Sequence, residues 1–323
     1  MYTPPSRREF TQITATGTFG VLAGSLLTPL PAAAREHDPA EKRLVLLGLN
    51  ALARAADMKY FTDGHRGAAL ISAHLLAEEE HLPAPGRARI EQLLDLNWAQ
   101  TRLCQPFPEA DPAPDQLHKI GEALAEGRGS LREVGHNAIF ATLALKGFRM
   151  LPAAATPERI AGVCRLIREI QPWRDVDPDP DVDPPSFADS PAAAEYVLRE
   201  ASAAVDRFIG FGQGFAGHML TFGQALVELA AMGDLEWAES CRLSFRKYVT
   251  VTRQGPEPDG KRFKEHKPTP LRPNQTAYWK QRGAKTLGIG HVFKYPYSYY
   301  DLLRRTQNAE LKKEWETKAF RIF

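Results

Sequence analysis

Residues 287–300 read LGIGHVFKYPYSYY and place a histidine and a lysine inside a run of apolar and aromatic residues. Burying a polar or basic side chain without a partner costs free energy, so we expect both side chains to have a role. His291 and Lys294 are three positions apart, and on an α-helix their side chains project from the same face. The stretch therefore predicts a helix that presents an imidazole and an amine to one site.

The Gly-His step inside this stretch recurs three times. It lies in DGHRGAALISAHLL, VGHNAIFATLALKG and AGHMLTFGQALVEL, where the histidines are His65, His136 and His218. The four histidines are 71, 82 and 73 residues apart, and small and apolar residues follow each of them. The dipole at a helix N-terminus keeps a histidine neutral, and the neutral ring is the form that binds a metal. The recurrence predicts four helical modules that each deliver one histidine to a shared metal ion.

Apolar residues recur at helical spacing through most of the chain, and no stretch shows the sustained alternation that is typical of strands. Helices are predicted at residues 39–57, 65–81, 136–150, 156–170, 192–208 and 218–232, among others. Proline-rich segments separate the modules, which are about 75 residues long. Because the four histidines must converge, we predict an all-α fold, a closed bundle or toroid of four diverged helical repeats.

The first 34 residues have the features of a twin-arginine export signal. Arg7 and Arg8 precede a moderately apolar stretch at residues 13–30, and three alanines follow at 32–34. Such a signal is removed from the mature protein, although a disordered basic terminus is the alternative. We predict export by the twin-arginine machinery to the periplasm or another extracytoplasmic space, and a single all-α metal-binding domain at residues 35–323.

The composition excludes several functional classes. A net charge of +2, with 43% hydrophobic and 25% charged residues, gives no bulk attraction to nucleic acid. The mature chain has no run of the roughly 18 apolar residues that a membrane span needs. Three isolated cysteines predict neither a disulfide framework nor a zinc finger. We therefore expect no nucleic-acid partner and no membrane span in the mature chain.

A lysine in an apolar pocket has chemistry that a surface lysine lacks. Desolvation lowers its pKa, and the free amine can take up carbon dioxide to form a carbamate, which offers an anionic oxygen ligand. Four neutral imidazoles and a carbamate on Lys294 suit a divalent transition ion such as Fe(II), and leave a position for dioxygen. The alternative is a surface lysine whose stem packs along apolar neighbours.

The motif His291-Val292-Phe293-Lys294 resembles the His-Ala-Ile-Lys motif of the questin oxidase-like proteins, whose helical repeats also begin with a histidine. The resemblance covers most of the mature chain as a pattern of four spaced histidines. It implies oxidative ring cleavage of anthraquinone-type polyketides at a mononuclear non-haem iron centre. Carried over residue by residue, the implied ligands are His65, His136, His218, His291 and a carboxylated Lys294.

His74 and Tyr295 are the candidates for catalysis beside the metal. His74 lies on the same predicted helix as His65 and is a candidate base, with a buried, hydrogen-bonded role as the alternative. Tyr295 begins an aromatic run that is a candidate wall for a flat apolar ligand. We expect an iron-dependent dioxygenase or monooxygenase that acts with dioxygen on an aromatic, polyketide-like small molecule.

Two other functions stay open from the sequence. The first is a zinc or other metal-dependent hydrolase or lyase on an α/α toroid, with a histidine or one of the glutamates at 78–80 as the base. The second is a non-catalytic extracytoplasmic binding protein, in which the Gly-His steps only begin helices.

Overall fold

A computed structural model describes residues 42–323, and this part of the chain contains thirteen α-helices. Within the same range the only β-type pairing is an isolated bridge between Arg132 and Pro172. The all-α prediction is therefore confirmed. No helix in residues 42–323 combines the length and the apolar character that crossing a bilayer requires. The export signal predicted at residues 1–34 lies outside the described residues and stays a prediction.

The helices belong to one compact unit, Asp38–Phe323. Their bounds are α1 Arg43–Ala55, α2 Tyr60–Glu79, α3 Ala84–Leu94, α4 His118–Glu126, α5 His136–Met150, α6 Pro157–Glu169, α7 Ser190–Arg207, α8 Gly214–Ala231, α9 Leu235–Ser240, α10 Arg242–Gln254, α11 Thr276–Lys280, α12 His291–Arg305 and α13 Ala309–Lys318. A π-helical turn, Asp95–Ala99, continues α3.

Two helices begin at side chains that satisfy free backbone N–H groups. The Asp189 carboxylate accepts from the Ala192 N–H at the start of α7, and Asn308 accepts from the Leu311 N–H at the start of α13. Proline occupies the first position of α6, where its missing N–H costs nothing. The starts of α6, α7 and α13 thus carry local sequence signals.

The four helices that carry the repeated histidines are α2, α5, α8 and α12, and they contact one another in cyclic order. Helix α2 contacts α5, α5 contacts α8, α8 contacts α12, and α12 returns to α2. The others pack around them, with α1 against α2 and α7 against α8. This cyclic contact order is what a closed arrangement requires. The choice between bundle and toroid stays a prediction.

Two of the histidine helices begin earlier than the sequence predicts. A turn was expected just before His65, but Thr62, Asp63 and Gly64 lie inside α2, which begins at Tyr60. The physical reason is a cap, because the Asp63 carboxylate accepts from the Lys59 backbone N–H at 3.1 Å. Helix α8 likewise begins one turn before its histidine.

Helix α5 begins at its predicted residue, and α12 likewise begins at its histidine. His136 and His291 are the first residues of α5 and α12. The glycines that precede them, Gly135 and Gly290, have φ of 90° and 102°, a conformation that favours glycine. The tight bend predicted at the Gly-His step is therefore present at these two sites.

The glycine before each histidine packs against the residue four positions after the next histidine in the ring. A Cβ atom on any of these glycines would lie within 3 Å of that neighbour. The pairs are Gly64 with Phe140, Gly135 with Phe222, Gly217 with Tyr295, and Gly290 with Ala69. The fourth pair joins α12 to α2, so the same glycine contact occurs between each pair of neighbouring helices in the ring. We call this contact the packing rule of the four repeats.

The opposite end of the ring is held by a buried ion network. Lys146 Nζ donates to Glu79 at 3.0 Å and to the Tyr297 hydroxyl at 2.9 Å, and lies 2.8 Å from Glu228. Arg305 bonds to Glu228 and pairs with Asp301 at 3.0 Å. The network takes residues from all four helices, about 15 Å along the helix axes from the histidines. The two ends of the ring are therefore chemically distinct.

Candidate metal centre

The imidazole rings of the four repeated histidines lie next to one another at one end of the helix ring. Centroid distances are 4.3 Å for His65–His136, 4.8 Å for His136–His218, 5.0 Å for His218–His291 and 5.1 Å for His291–His65. Ligand nitrogens of His65, His218 and His291 all lie within 4.8 Å of one another. The structure therefore brings together the four predicted metal ligands.

Backbone carbonyl groups determine which nitrogen of three rings carries the proton. His65 Nδ1 donates to the Phe61 carbonyl at 2.8 Å, and His218 Nδ1 donates to the Gly214 carbonyl at 2.7 Å. His136 Nδ1 donates to the Glu133 carbonyl. A carbonyl oxygen only accepts, so each of these Nδ1 atoms must be the protonated one. Their Nε2 atoms are then left with free lone pairs.

Two of these lone pairs face each other. His136 Nε2 and His218 Nε2 are 3.1 Å apart, and neither carries a hydrogen in the tautomer that the carbonyls select. The Nε2 atoms of His65 and His291 are buried and have no hydrogen-bond partner among the described residues. Buried polar atoms are normally paired, and acceptor atoms that converge without donors are repulsive. A cation between them removes both costs.

Lys294 lies in the same pocket. Its side chain is 1% exposed, its amine has no partner among residues 42–323, and Nζ is 5.9 Å from the centre of the Phe140 ring. Residues at the same place after the other three histidines are Ala68, Ile139 and Thr221. The packing of the repeats thus accepts a small or apolar residue at this position, and does not itself require a lysine.

The groups of this pocket are held in their neutral forms. Burial lowers the pKa of Lys294 well below its usual value. Burial lowers the pKa of His218 to about 3 and that of His291 further. The pKa values of His65 and His136 are also lowered, mainly by burial. Neutral imidazole and free amine are the forms that a metal or carbon dioxide requires.

Tyr295 contacts two of the four histidines. Its hydroxyl lies 3.1 Å from His218 Nδ1, and its ring stacks on His291 with centroids 4.6 Å apart and planes 10° from parallel. The His218 Nδ1 proton already goes to the Gly214 carbonyl, so the tyrosine oxygen shares that proton as a second acceptor. The Tyr295 hydroxyl hydrogen is then free to donate to another acceptor.

His74 does not reach the cluster. It lies nine residues after His65 on α2, which places it on the opposite face and about 13 Å further along the axis. Burial lowers its pKa, and the charges that act on it are those of Glu78, Lys42 and Arg87. Its position gives no support to the predicted role as a base beside the metal.

The glutamates at 78–80 also lie away from the histidines, at the end of α2 and in the residue after it. Glu78 pairs with Arg87, while Glu79 and Glu80 pair with Arg304. About 20 Å of helix separates them from His65. The base that a hydrolase was expected to take from this segment is therefore not at the histidine cluster.

Aromatic rings separate the cluster from its surroundings on one side. Phe61 packs on His65 and His136, with centroid distances of 4.4 and 5.0 Å. Phe140 lies 5.6 and 5.3 Å from the same two rings. Phe61 was not predicted as part of the site. It precedes the Gly-His step, and the other three repeats have no aromatic residue at the equivalent position. Alignment of the four modules on their histidines would have shown that Phe140, Phe222 and Tyr295 are equivalent.

The donor set fits a divalent transition ion. Imidazole nitrogens suit iron, zinc and copper, and an uncharged amine that takes up carbon dioxide would add one oxygen ligand. The fit rests on the unpaired Nε2 atoms of His65 and His291 and the unpaired Lys294 amine, which are buried beside one another. Ligation by these five residues stays a prediction, now with a geometry that supports it.

Comparisons with protein-family models, with curated proteins and with solved structures found no match to this chain.

Proposed function

We propose that the protein is a metal-dependent oxygenase that binds Fe(II) through His65, His136, His218, His291 and the carbamate of Lys294. Its substrate is an aromatic, polyketide-like small molecule, which it oxidises or cleaves with dioxygen. The proposal keeps the activity implied by the resemblance to the questin oxidase-like proteins.

The observation that carries this proposal is the pair of Nε2 atoms, on His136 and His218, that face each other at 3.1 Å. Two acceptor atoms at that distance repel unless a cation lies between or beside them. Two further imidazoles and a lysine amine, all without partners on the atoms that face the pocket, support a site with five ligands. A packed core would not leave so many polar atoms unpaired.

The bound ion supplies redox chemistry with dioxygen, while the residues supply its geometry. The carbonyls of Phe61, Gly214 and Glu133 hold three rings in the tautomer that presents Nε2. The neutral Lys294 amine forms an N–C bond with carbon dioxide and releases a proton, which makes the fifth ligand anionic. In this proposal the Tyr295 hydroxyl donates to an oxygen atom of the substrate.

The positions of the acidic residues favour an oxygenase over a hydrolase. Glu78, Glu79 and Glu80 are engaged by arginine side chains at the far end of α2, so they do not supply a base at the histidine cluster. A neutral imidazole site with one anionic ligand suits a redox ion that keeps an open position for dioxygen.

Elemental analysis of the purified protein tests the proposal. We expect one transition ion per chain in the wild type and near-complete loss in His218→Ala. His118→Ala is the matched control, because His118 is an exposed histidine at the start of α4. The electron paramagnetic resonance spectrum of the nitric oxide adduct distinguishes Fe(II) from Zn(II).

The dependence of iron binding on carbon dioxide tests whether Lys294 is a ligand. Reconstitution of the apoprotein with Fe(II) in carbon dioxide-free buffer should be weaker than in bicarbonate, and the difference should vanish in Lys294→Met. Wild type, His218→Ala and Lys294→Met with equal metal contents would refute the proposal.

A further inference from the structure

The residue four positions before each histidine differs in size between the four repeats. These residues are Phe61, Arg132, Gly214 and Leu287. The Phe61 ring covers two of the histidines, and Leu287 is buried. Gly214 has no side chain and is exposed, and a Cβ atom built on it would meet no described atom within 4 Å. One of the four positions is therefore open.

Gly214 and Phe61 occupy equivalent positions, because each precedes its histidine by four residues and accepts a hydrogen bond from it. The Phe61 carbonyl accepts from His65 Nδ1 at 2.8 Å, and the Gly214 carbonyl accepts from His218 Nδ1 at 2.7 Å. An aromatic ring occupies the first position, and the space at the Gly214 Cβ position is empty of described atoms within 4 Å. His291, the next histidine in the ring, is itself partly exposed. The position before His218 therefore lacks the covering side chain that Phe61 supplies before His65.

A cleft of about 350 Å³ lies next to this open position. One wall consists of Gly212 and Gln213, which directly precede Gly214. The other wall consists of Phe263, Lys264, His266 and Arg321. The Phe263 backbone N–H donates to the Gly210 carbonyl at 2.9 Å and joins the two walls. The cleft is therefore formed by a glycine-rich turn and a basic segment that pack on each other.

The lining of the cleft has a distinct chemistry. Lys264 and Arg321 contribute positive charge, and Glu265, 3.3 Å from Arg321, offsets only one of them. The Phe263 ring is 51% exposed, which is unusual for a large aromatic side chain. Gln213 Oε1 is buried and has no partner among the described residues, so it can accept from a hydroxyl or N–H group. These features suit a planar aromatic ligand that carries an anionic group.

We propose that this cleft is the substrate entrance, that it binds planar aromatic anions, and that Gly214 is the opening from the cleft to the histidine cluster. The inference rests on the proposed function, since it assigns the substrate class and the access route of the same site.

Binding of a probe tests the cleft without any metal. We expect 2-naphthoate to bind to the cleft. Neutral 2-naphthamide should bind about tenfold more weakly, because it lacks the carboxylate that interacts with the positive charge of the cleft. Lys264→Glu should abolish the preference for the anion. Lys119→Glu, an exposed lysine on α4, is the matched control and should keep the preference. Equal binding of both probes, or an equal effect of both variants, would overturn the assignment.

Removal of bound iron tests the opening. In the wild type, extraction by bathophenanthroline disulfonate should be proportional to the chelator concentration. Gly214→Trp should slow extraction by about tenfold or more at unchanged metal content, because its side chain fills the open space. Ala309→Trp, at the exposed first residue of α13, should leave the rate unchanged.

The outcomes separate the two proposals. A protein that binds no metal refutes the proposed function, while the naphthoate measurement still decides on the cleft. If the protein binds iron, and the Gly214→Trp variant loses it as fast as the wild type does, the proposed entrance is refuted.

Discussion

His136 and His218 face each other through Nε2 atoms that are 3.1 Å apart, on adjacent helices of the ring. Either a proton on one ring or an ion bound to both would remove the repulsion between the lone pairs. Burial opposes the proton, because it lowers the pKa of both rings. The arrangement therefore favours a metal ion over protonation at neutral pH.

The apoprotein should lose stability in acid. The pKa of His218 is lowered to about 3, and that of His291 is also lowered, while the unfolded chain takes up these protons near pH 6.5. The stabilising contribution is complete above pH 6.5 and falls as the pH drops toward 3. The loss is about 1.4 kcal/mol per pH unit for each such histidine.

Urea denaturation of the apoprotein at pH 7, 6, 5 and 4 measures this dependence. His65→Gln should show a shallower slope by about one proton, because one buried histidine is gone. A free energy of unfolding that stays constant from pH 7 to pH 4 would contradict the neutral cluster.

Replacement of Lys294 by methionine should stabilise the apoprotein and weaken metal binding. The amine is buried without a partner among the described residues, so its removal should raise the free energy of unfolding by about 1–3 kcal/mol. A residue that costs stability and is needed for binding is typical of a functional site. Thermal denaturation of the apoprotein and metal titration measure the two effects.

Lys146→Met is the matched control for that variant. Lys146 is also a largely buried lysine, but it is paired with Glu79 and Glu228 and bonded to Tyr297. Its loss removes one of two cations from each carboxylate, since Glu79 keeps Arg304 and Glu228 keeps Arg305, and should destabilise the protein by about 1–3 kcal/mol. Destabilisation of similar size in both variants would show that Lys294 has a structural role.

Helical periodicity was sufficient to predict the all-α class, and the recurrence of Gly-His was sufficient to find the residues that converge. The position of His74 could also have been predicted, because nine residues on a helix lead to the opposite face. The ion network around Lys146 could not, since its members are distant in sequence and each looks like an ordinary surface charge. The early start of α2 depends on one hydrogen bond from the Lys59 N–H to Asp63, which no periodicity reveals.

Tyr295→Phe should keep the fold and alter the metal site. Phe140 and Phe222 occupy the equivalent positions in two other repeats, and each packs against a glycine of a neighbouring helix. The tyrosine hydroxyl is therefore not needed for this packing. The change in the free energy of unfolding should stay within about 1 kcal/mol. Metal affinity should fall about 10-fold to 100-fold, because the hydroxyl contacts His218 Nδ1. A metal titration that matches the wild type would remove Tyr295 from the site.

Gly217→Ala should disrupt the ring, whereas Gly214→Ala on the same helix should not. Neither glycine has a positive φ, and alanine is ordinarily the better helix former by about 1 kcal/mol. A Cβ atom on Gly217 would collide with the Tyr295 ring, and that ring is stacked on His291, so relief of the clash must move a predicted ligand. We expect Gly217→Ala to lose about 1–3 kcal/mol of stability and to bind metal weakly, while Gly214→Ala equals or exceeds the wild type in stability and keeps its metal. Thermal denaturation and elemental analysis of the two variants check this, and equal behaviour would contradict the packing rule that joins the four repeats.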